Sequence, residues 1–95
     1  MSLSAIDETE PYRLRTEKTL SAFILINTEP DSVREVFNDL NKIEAVDKTY
    51  IVYGVHDIIV RVSADSIEHL RDVVTTQIRN VNNVNSTLTM TVIDP

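Results

Sequence analysis

Cysteine and tryptophan are absent from this chain, and glycine occurs once, at position 54. Without cysteine there is no disulfide and no thiolate zinc site, so the fold does not depend on an oxidising compartment. A single glycine excludes the Walker A loop, the GxGxxG turn and the GxSxG elbow, each of which needs several glycines for close backbone approach. The two histidines, His56 and His69, fall in no HxH or HExxH spacing, and no metal site is expected from them. Basic residues are outnumbered, 9 against 15 acidic, and the net charge of -6 repels a phosphate backbone unless the basic side chains cluster. No such cluster is visible, which argues against direct DNA binding. No run approaches the roughly 18 apolar residues that span a bilayer, and Met1 to Lys18 lacks the apolar centre of a signal peptide. The expectation is a cytoplasmic protein with no membrane contact.

What remains is a chain of 95 residues, enough for one small domain. A domain of that size buries a modest share of its surface, so a second apolar face is expected to be covered by another copy. Residues 1–18 are mixed in charge, carry Pro11 and read as a tail, with residues 19–95 as the folded domain. Within the tail, Tyr12, Leu14 and Thr16 alternate with Arg13, Arg15 and Glu17, a pattern compatible with an added edge strand.

From Thr19 to Asn27 the chain is almost continuously apolar, as a central strand buried on both faces would be. Thr28-Glu29-Pro30-Asp31 marks a helix start, and Val33, Val36, Phe37, Leu40 and Ile43 then form a helical stripe. A strand is predicted over Ala45 to Tyr53, a turn at Gly54, and a strand over Asp57 to Ser63, making a hairpin about the one residue that takes φ > 0 at little cost. Asp65-Ser66-Ile67-Glu68 resembles a capping box in which Glu68 reaches back to the cap. Ile67, Leu70, Val73, Val74, Ile78 and Val81 form the second stripe, which ends at Asn80-Val81-Asn82-Asn83, where asparagine substitutes for glycine in a left-handed position. The last strand, Val84 to Ile93, alternates Leu88, Met90 and Val92 with Thr87, Thr89 and Thr91.

The order βαββαβ predicts an α+β, ferredoxin-like plait: an antiparallel sheet in order 4-1-3-2 with two helices on one face. The other face is expected to carry Ile59, Arg61 and the threonines of the last strand, together with apolar residues of the first. A half-apolar sheet of this kind is larger than monomers usually leave bare, which points to two sheets paired face to face.

No serine or threonine has an adjacent base and orienting acid that the sequence reveals, so no catalytic residue and no cofactor is assigned. Asp57, at the start of a central strand, has two possible roles: bonding nearby backbone N–H groups, or standing at a pocket mouth where it would hold a ligand ammonium group. His56 is either an exposed turn residue or a ligand contact. The threonine row is either ordinary strand chemistry or a hydroxyl-lined rim.

Gly54-Val55-His56-Asp57-Ile58-Ile59-Val60-Arg61-Val62 resembles the G-x-x-D-hydrophobic signature of the Lrp/AsnC ligand-binding domain, also called the RAM domain. Val84-Asn85-Ser86-Thr87-Leu88-Thr89 is similar to that family's Gly-Val-x-x-Thr-x-Thr passage into the last strand, with Asn83 here in place of the glycine. The resemblance covers Thr19 to Ile93 and implies homodimers with facing sheets that assemble further into tetramers or octamers. It also implies a small effector, an amino acid or a derivative, bound between subunits by Gly54, His56 and Asp57, with Thr87, Thr89 and Met90. Met1 to Lys18 is too short for the family's helix-turn-helix, so the resemblance is to stand-alone members that act on transcription or metabolism indirectly, in part by co-assembly with full-length Lrp/AsnC regulators. Two other readings stay open: a dimeric αβ-barrel enzyme, which needs acids, bases or aromatics inside the barrel, and an assembly module without ligand.

Overall fold

The computed structural model describes residues 20–93. The tail strand considered at Tyr12 to Glu17 lies outside the described residues. The elements are β1 (Leu20–Thr28), α1 (Val33–Leu40), β2 (Val46–Ile51), β3 (Ile58–Ala64), α2 (Ile67–Asp72), which continues into a π-helical segment (Val73–Ile78), and β4 (Val84–Thr91). They form one four-stranded antiparallel sheet in the order β2-β3-β1-β4, the predicted plait. None of the helices among the described residues is long and apolar enough to cross a membrane.

β1 sits at the centre because it is apolar on both faces. Its residues alternate strictly: Ala22, Ile24, Ile26 and Thr28 are buried on the helix side, while Ser21, Phe23, Leu25 and Asn27 remain half-exposed on the other. Opposite them in register lie Val62, Val60 and Ile58 of β3, also fully buried. Val36 and Leu40 of α1 and Leu70, Val73, Val74 and Ile78 of the second helix close this layer from above. Each fully buried Ile or Leu contributes about 2–3 kcal/mol, so the core is one stripe of sheet against two stripes of helix. One polar group is trapped in it without a partner among the described residues, the Thr49 hydroxyl.

The links have local causes. Ser32 N–H donates to the Glu29 carbonyl at 3.1 Å, and Asp31 takes φ 72°. Pro30 therefore occupies the second position of a type II turn, not the first helical turn expected for it. α1 starts at Val33 with no side-chain cap from Ser32. The cap of α2 also differs from the expectation. Ser66 Oγ accepts from His69 N–H at 3.0 Å, and the returning bond comes from the His69 ring, whose Nδ1 accepts from Asp65 N–H at 3.0 Å. His69 is three residues past the cap and Glu68 only two, so the imidazole has the reach that the carboxylate lacks.

Beyond Asp72 the helix widens. Thr75 and Thr76 hydroxyls donate to the carbonyls of Arg71 and Asp72 at 2.8 and 2.7 Å, and Arg79 N–H reaches back five residues to the Val74 carbonyl at 2.9 Å. Side-chain competition for main-chain acceptors, within a run of β-branched residues, favours this looser turn. Asn83 ends the segment at φ 71°, and its carbonyl accepts from Glu29 N–H at 3.0 Å, locking the entrance to β4 against the exit of β1.

Candidate functional site: the hairpin turn and the open sheet face

Strand register decides what the uncovered face of the sheet presents. Tyr50, Ile59, Leu25 and Leu88 stand side by side across all four strands, and Lys48, Arg61, Phe23 and Met90 form the next row. Ile59 and Arg61 are where they were expected. The threonines of β4 are not: Thr91, Thr89 and Thr87 pair with Ala22, Ile24 and Ile26 and so lie on the helix side. Leu88 and Met90 take the open face and remain 53% and 49% exposed. Alternation fixed which residues of β4 share a face, but pairing with β1 selects the face, and Leu25 and Phe23 draw their apolar neighbours to the open side. The result is a more apolar open face, interrupted by Lys48 and by Arg61, which lies 3.8 Å from the Asp47 carboxylate.

At one end this face meets the hairpin. Val52 N–H donates to the Asp57 carbonyl at 2.9 Å, closing a turn over Tyr53 to His56, and Gly54 takes φ 156°. An added Cβ at Gly54 would meet nothing within 4 Å, so the glycine serves backbone conformation and not close approach. Tyr53 and Val55 project fully into solvent. His56 turns back: its Nδ1 lies 2.8 Å from Asn27 Oδ1 on β1, while Asn27 Nδ2 donates to the Val55 carbonyl at 2.8 Å. Ser86 Oγ, from β4, donates to the same Asn27 oxygen at 3.4 Å. For the ring to donate to Asn27, Nδ1 carries the proton. His56, Asn27 and Ser86 thus form a polar rim on three segments, bordering the apolar row of Tyr50, Ile59, Leu25 and Leu88.

Asp57 sits beside this rim, half-buried. Its Oδ2 accepts from Thr28 N–H at 2.8 Å and lies 3.4 Å from the Thr28 hydroxyl, and its own N–H donates to the Ile26 carbonyl at 3.0 Å. The carboxylate therefore fastens the hairpin to the end of β1, the backbone-bonding role, with one oxygen free of such contacts among the described residues.

Within one copy the expected ligand set falls in three places. Gly54, His56 and Asp57 share the hairpin; Met90 is on the open face; Thr87 and Thr89 are on the helix side. Thr89 lines a groove of about 320 Å³ with Thr91, Ile67, Leu70, Arg71, Val74 and Thr75. Asn27 and Ser86 escaped the sequence reading because Asn27 lies outside the two motifs and Ser86 falls on an unspecified position of the second; the pairing Asn27↔Ser86 brings them together. A second cleft, about 340 Å³, is bordered by Glu44, Asp47, Ser63 and His69. Three of its polar side chains bond within the chain, Asp47 with Ser63 Oγ and Arg61, and His69 Nδ1 with Asp65 N–H. Among the described residues no group of three or more His, Asp or Glu could hold a metal ion.

Comparison with known proteins agrees with this architecture. The model of the Lrp/AsnC ligand binding domain matches residues 21–95. An uncharacterised HTH-type transcriptional regulator of Pyrococcus abyssi is 35% identical over 68 residues, covering 72% of this chain and 43% of its own length. The chain spans about half the length of the curated relatives it matches. Among solved structures, FFRP-DM1 is 36% identical with a TM-score of 0.75, covering 78% of this chain and 99% of that one. The feast or famine regulatory protein from Mycobacterium tuberculosis, complexed with L-methionine, is 26% identical with a TM-score of 0.70, covering 90% of this chain and 57% of its own. With the plait, the hairpin and the family match over nearly the whole folded region in agreement, the chain belongs to the Lrp/AsnC ligand binding domain family.

Proposed function

We propose that this protein is a non-enzymatic effector-sensing module in which two copies pair their open sheet faces and bind a small molecule of the amino-acid type beside the hairpin. The observation that carries the reading is the conjunction on one surface of an uncovered apolar row and a polar rim, His56, Asn27 and Ser86, at its end. Pairing faces would remove Tyr50, Leu88 and Met90 from water. The same pairing can bring Met90 of one copy towards the hairpin of the other, which a single copy does not do. The free oxygen of Asp57 suits a ligand ammonium group, and the His56 and Asn27 amide and ring groups suit its carboxylate or side chain. Relatives named as transcriptional regulators, and one solved in complex with L-methionine, support an effector role. The module acts on transcription without DNA contact of its own, through assembly with full-length regulators of the same family.

Thermal unfolding against a panel of amino acids, L-methionine included, tests this. A ligand that binds only the folded state adds about 2.7 kcal/mol of stability at 100 times its Kd. Asp57→Asn keeps an oxygen for Thr28 N–H while removing the charge, so it is expected to unfold within about 1 kcal/mol of the wild type yet lose most of the ligand-induced shift. A second reading, assembly without ligand, is favoured by the engagement of Asp57 Oδ2 and His56 Nδ1 within the chain itself. No stabilisation by any member of the panel selects it.

A further inference from the structure

The helix layer stops short of the outer strand β4. On the helix side of β1, Ala22 and Ile24 are fully buried, yet their partners on β4, Thr91 and Thr89, are exposed. Between that strand and the second helix runs the groove of about 320 Å³. Leu70 and Val74 are buried at its base, Ile67 is half-exposed at its lip, and Arg71, Thr89 and Thr91 border it. An apolar floor thus lies open on the side of the sheet that the helices otherwise cover.

One segment of the chain, outside the described residues, is joined directly to this groove. Thr91 pairs with Ala22, so the groove opens beside the start of β1, and Glu17-Lys18-Thr19 precedes that start. This connection spans about 10 Å when extended. Upstream of it, Tyr12, Leu14 and Thr16 alternate with Arg13, Arg15 and Glu17. An extended run from Tyr12 to Thr16 is about 13 Å long. The helix rises about 10 Å from Ile67 to Val74, so segment and groove are of comparable length.

We propose that Tyr12 to Thr16 of the same chain dock, extended, in this groove, with Tyr12 and Leu14 over Ile67, Leu70 and Val74 and with Arg13 and Arg15 turned to solvent. Connectivity and charge single out this occupant. A segment tied to the groove by so short a connection is present at about millimolar effective concentration, which a free partner has to match from solution. The exposed α2 residues Glu68 and Asp72 stand beside the groove-lining face, opposite in sign to Arg13 and Arg15. Arg71, which has no ion pair among the described residues, suits Glu17 at the groove's entrance. Such exposed pairs set the register more than the affinity, which comes from the apolar contact. The Thr89 and Thr91 hydroxyls supply donors and acceptors for the segment's main chain. The docked segment would extend the helix-side cover to β4, and it depends neither on pairing of the open faces nor on a ligand.

The chain has no cysteine, so a pair of introduced thiols reports one contact. Mild oxidation of the full-length Leu14→Cys/Thr89→Cys variant is expected to give a disulfide within one copy, seen as the mass of a single chain with both thiols shielded from alkylation until dithiothreitol is added. Arg13→Cys/Thr89→Cys, whose tail thiol faces solvent, is expected to close about tenfold more slowly. Equal rates for the two variants mean that the tail passes the groove without docking, and overturn the proposal. A covalent dimer, which places a partner's tail in the groove, overturns it too, as does the absence of any disulfide. A double-mutant cycle in urea unfolding gives a second reading. Leu14→Ala and Ile67→Ala are each expected to lower the midpoint, and the double variant to fall by less than the two shifts together. Shifts that simply add contradict the contact.

Discussion

At the tip of the hairpin, Gly54 holds φ at 156° with open space where a side chain would begin. Gly54→Ala is therefore a substitution without a clash, whose whole cost is backbone conformation, about 1–2 kcal/mol. Urea unfolding checks it: the midpoint should fall with an unchanged slope. The same backbone logic gives the other two positive-φ residues among the described ones, Asp31 and Asn83, to turns, and asparagine and aspartate are the side chains that tolerate such positions best. Asn83 adds a bond that glycine could not, its Nδ2 donating to Glu35 Oε1 of α1 at 3.3 Å. The substitution for the family's glycine therefore keeps the turn and directs the new side chain to α1. Asp57 illustrates a residue with a structural task and one oxygen to spare, which is why its charge and its hydrogen bond can be separated by Asp57→Asn.

Among the elements, the start of α2 is held by a small set of side-chain bonds. Ser66→Ala removes the oxygen that His69 N–H donates to and is expected to cost about 1 kcal/mol, measured by the same urea unfolding. The elements show what could be read from sequence. β1 was legible because an unbroken apolar run has few other homes, and the stripes of α1 and α2 because their spacing is helical. The faces of β4 were not legible: Thr87, Thr89 and Thr91 and their neighbours Leu88 and Met90 suit either side of an edge strand, and only the register with β1 decides. The π-helical segment was hidden for a related reason. Val73, Val74, Thr75 and Thr76 keep a helical stripe, and the hydroxyl-to-carbonyl bonds that loosen the turn depend on rotamers that composition does not specify. The reciprocal cap came from His69, one position beyond the residue the motif suggested. At the candidate site, Gly54, His56 and Asp57 stood out in a motif, whereas Asn27 and Ser86 are joined to them only by strand pairing.

As a whole, the described part of the molecule is a sheet with one side covered by helices and one side left open. Among the described residues, thirteen apolar side chains are buried between sheet and helices, while the opposite face leaves Tyr50, Leu88 and Met90 each close to half exposed. In the proposed function that imbalance links fold to function: a second copy covers the open face, and the His56, Asn27 and Ser86 rim lies where that cover would meet the hairpin. Leu25, at the centre of the apolar row between Ile59 and Leu88, is the residue through which to test it. Leu25→Asp places a charge in the middle of that contact, where an uncompensated buried carboxylate costs several kcal/mol. The decisive measurement is the light-scattering mass of the full-length wild type and of Leu25→Asp at equal concentration. The account predicts a wild type of at least two copies and a folded Leu25→Asp variant of lower mass; a monomeric wild type, or a variant of unchanged mass, contradicts it.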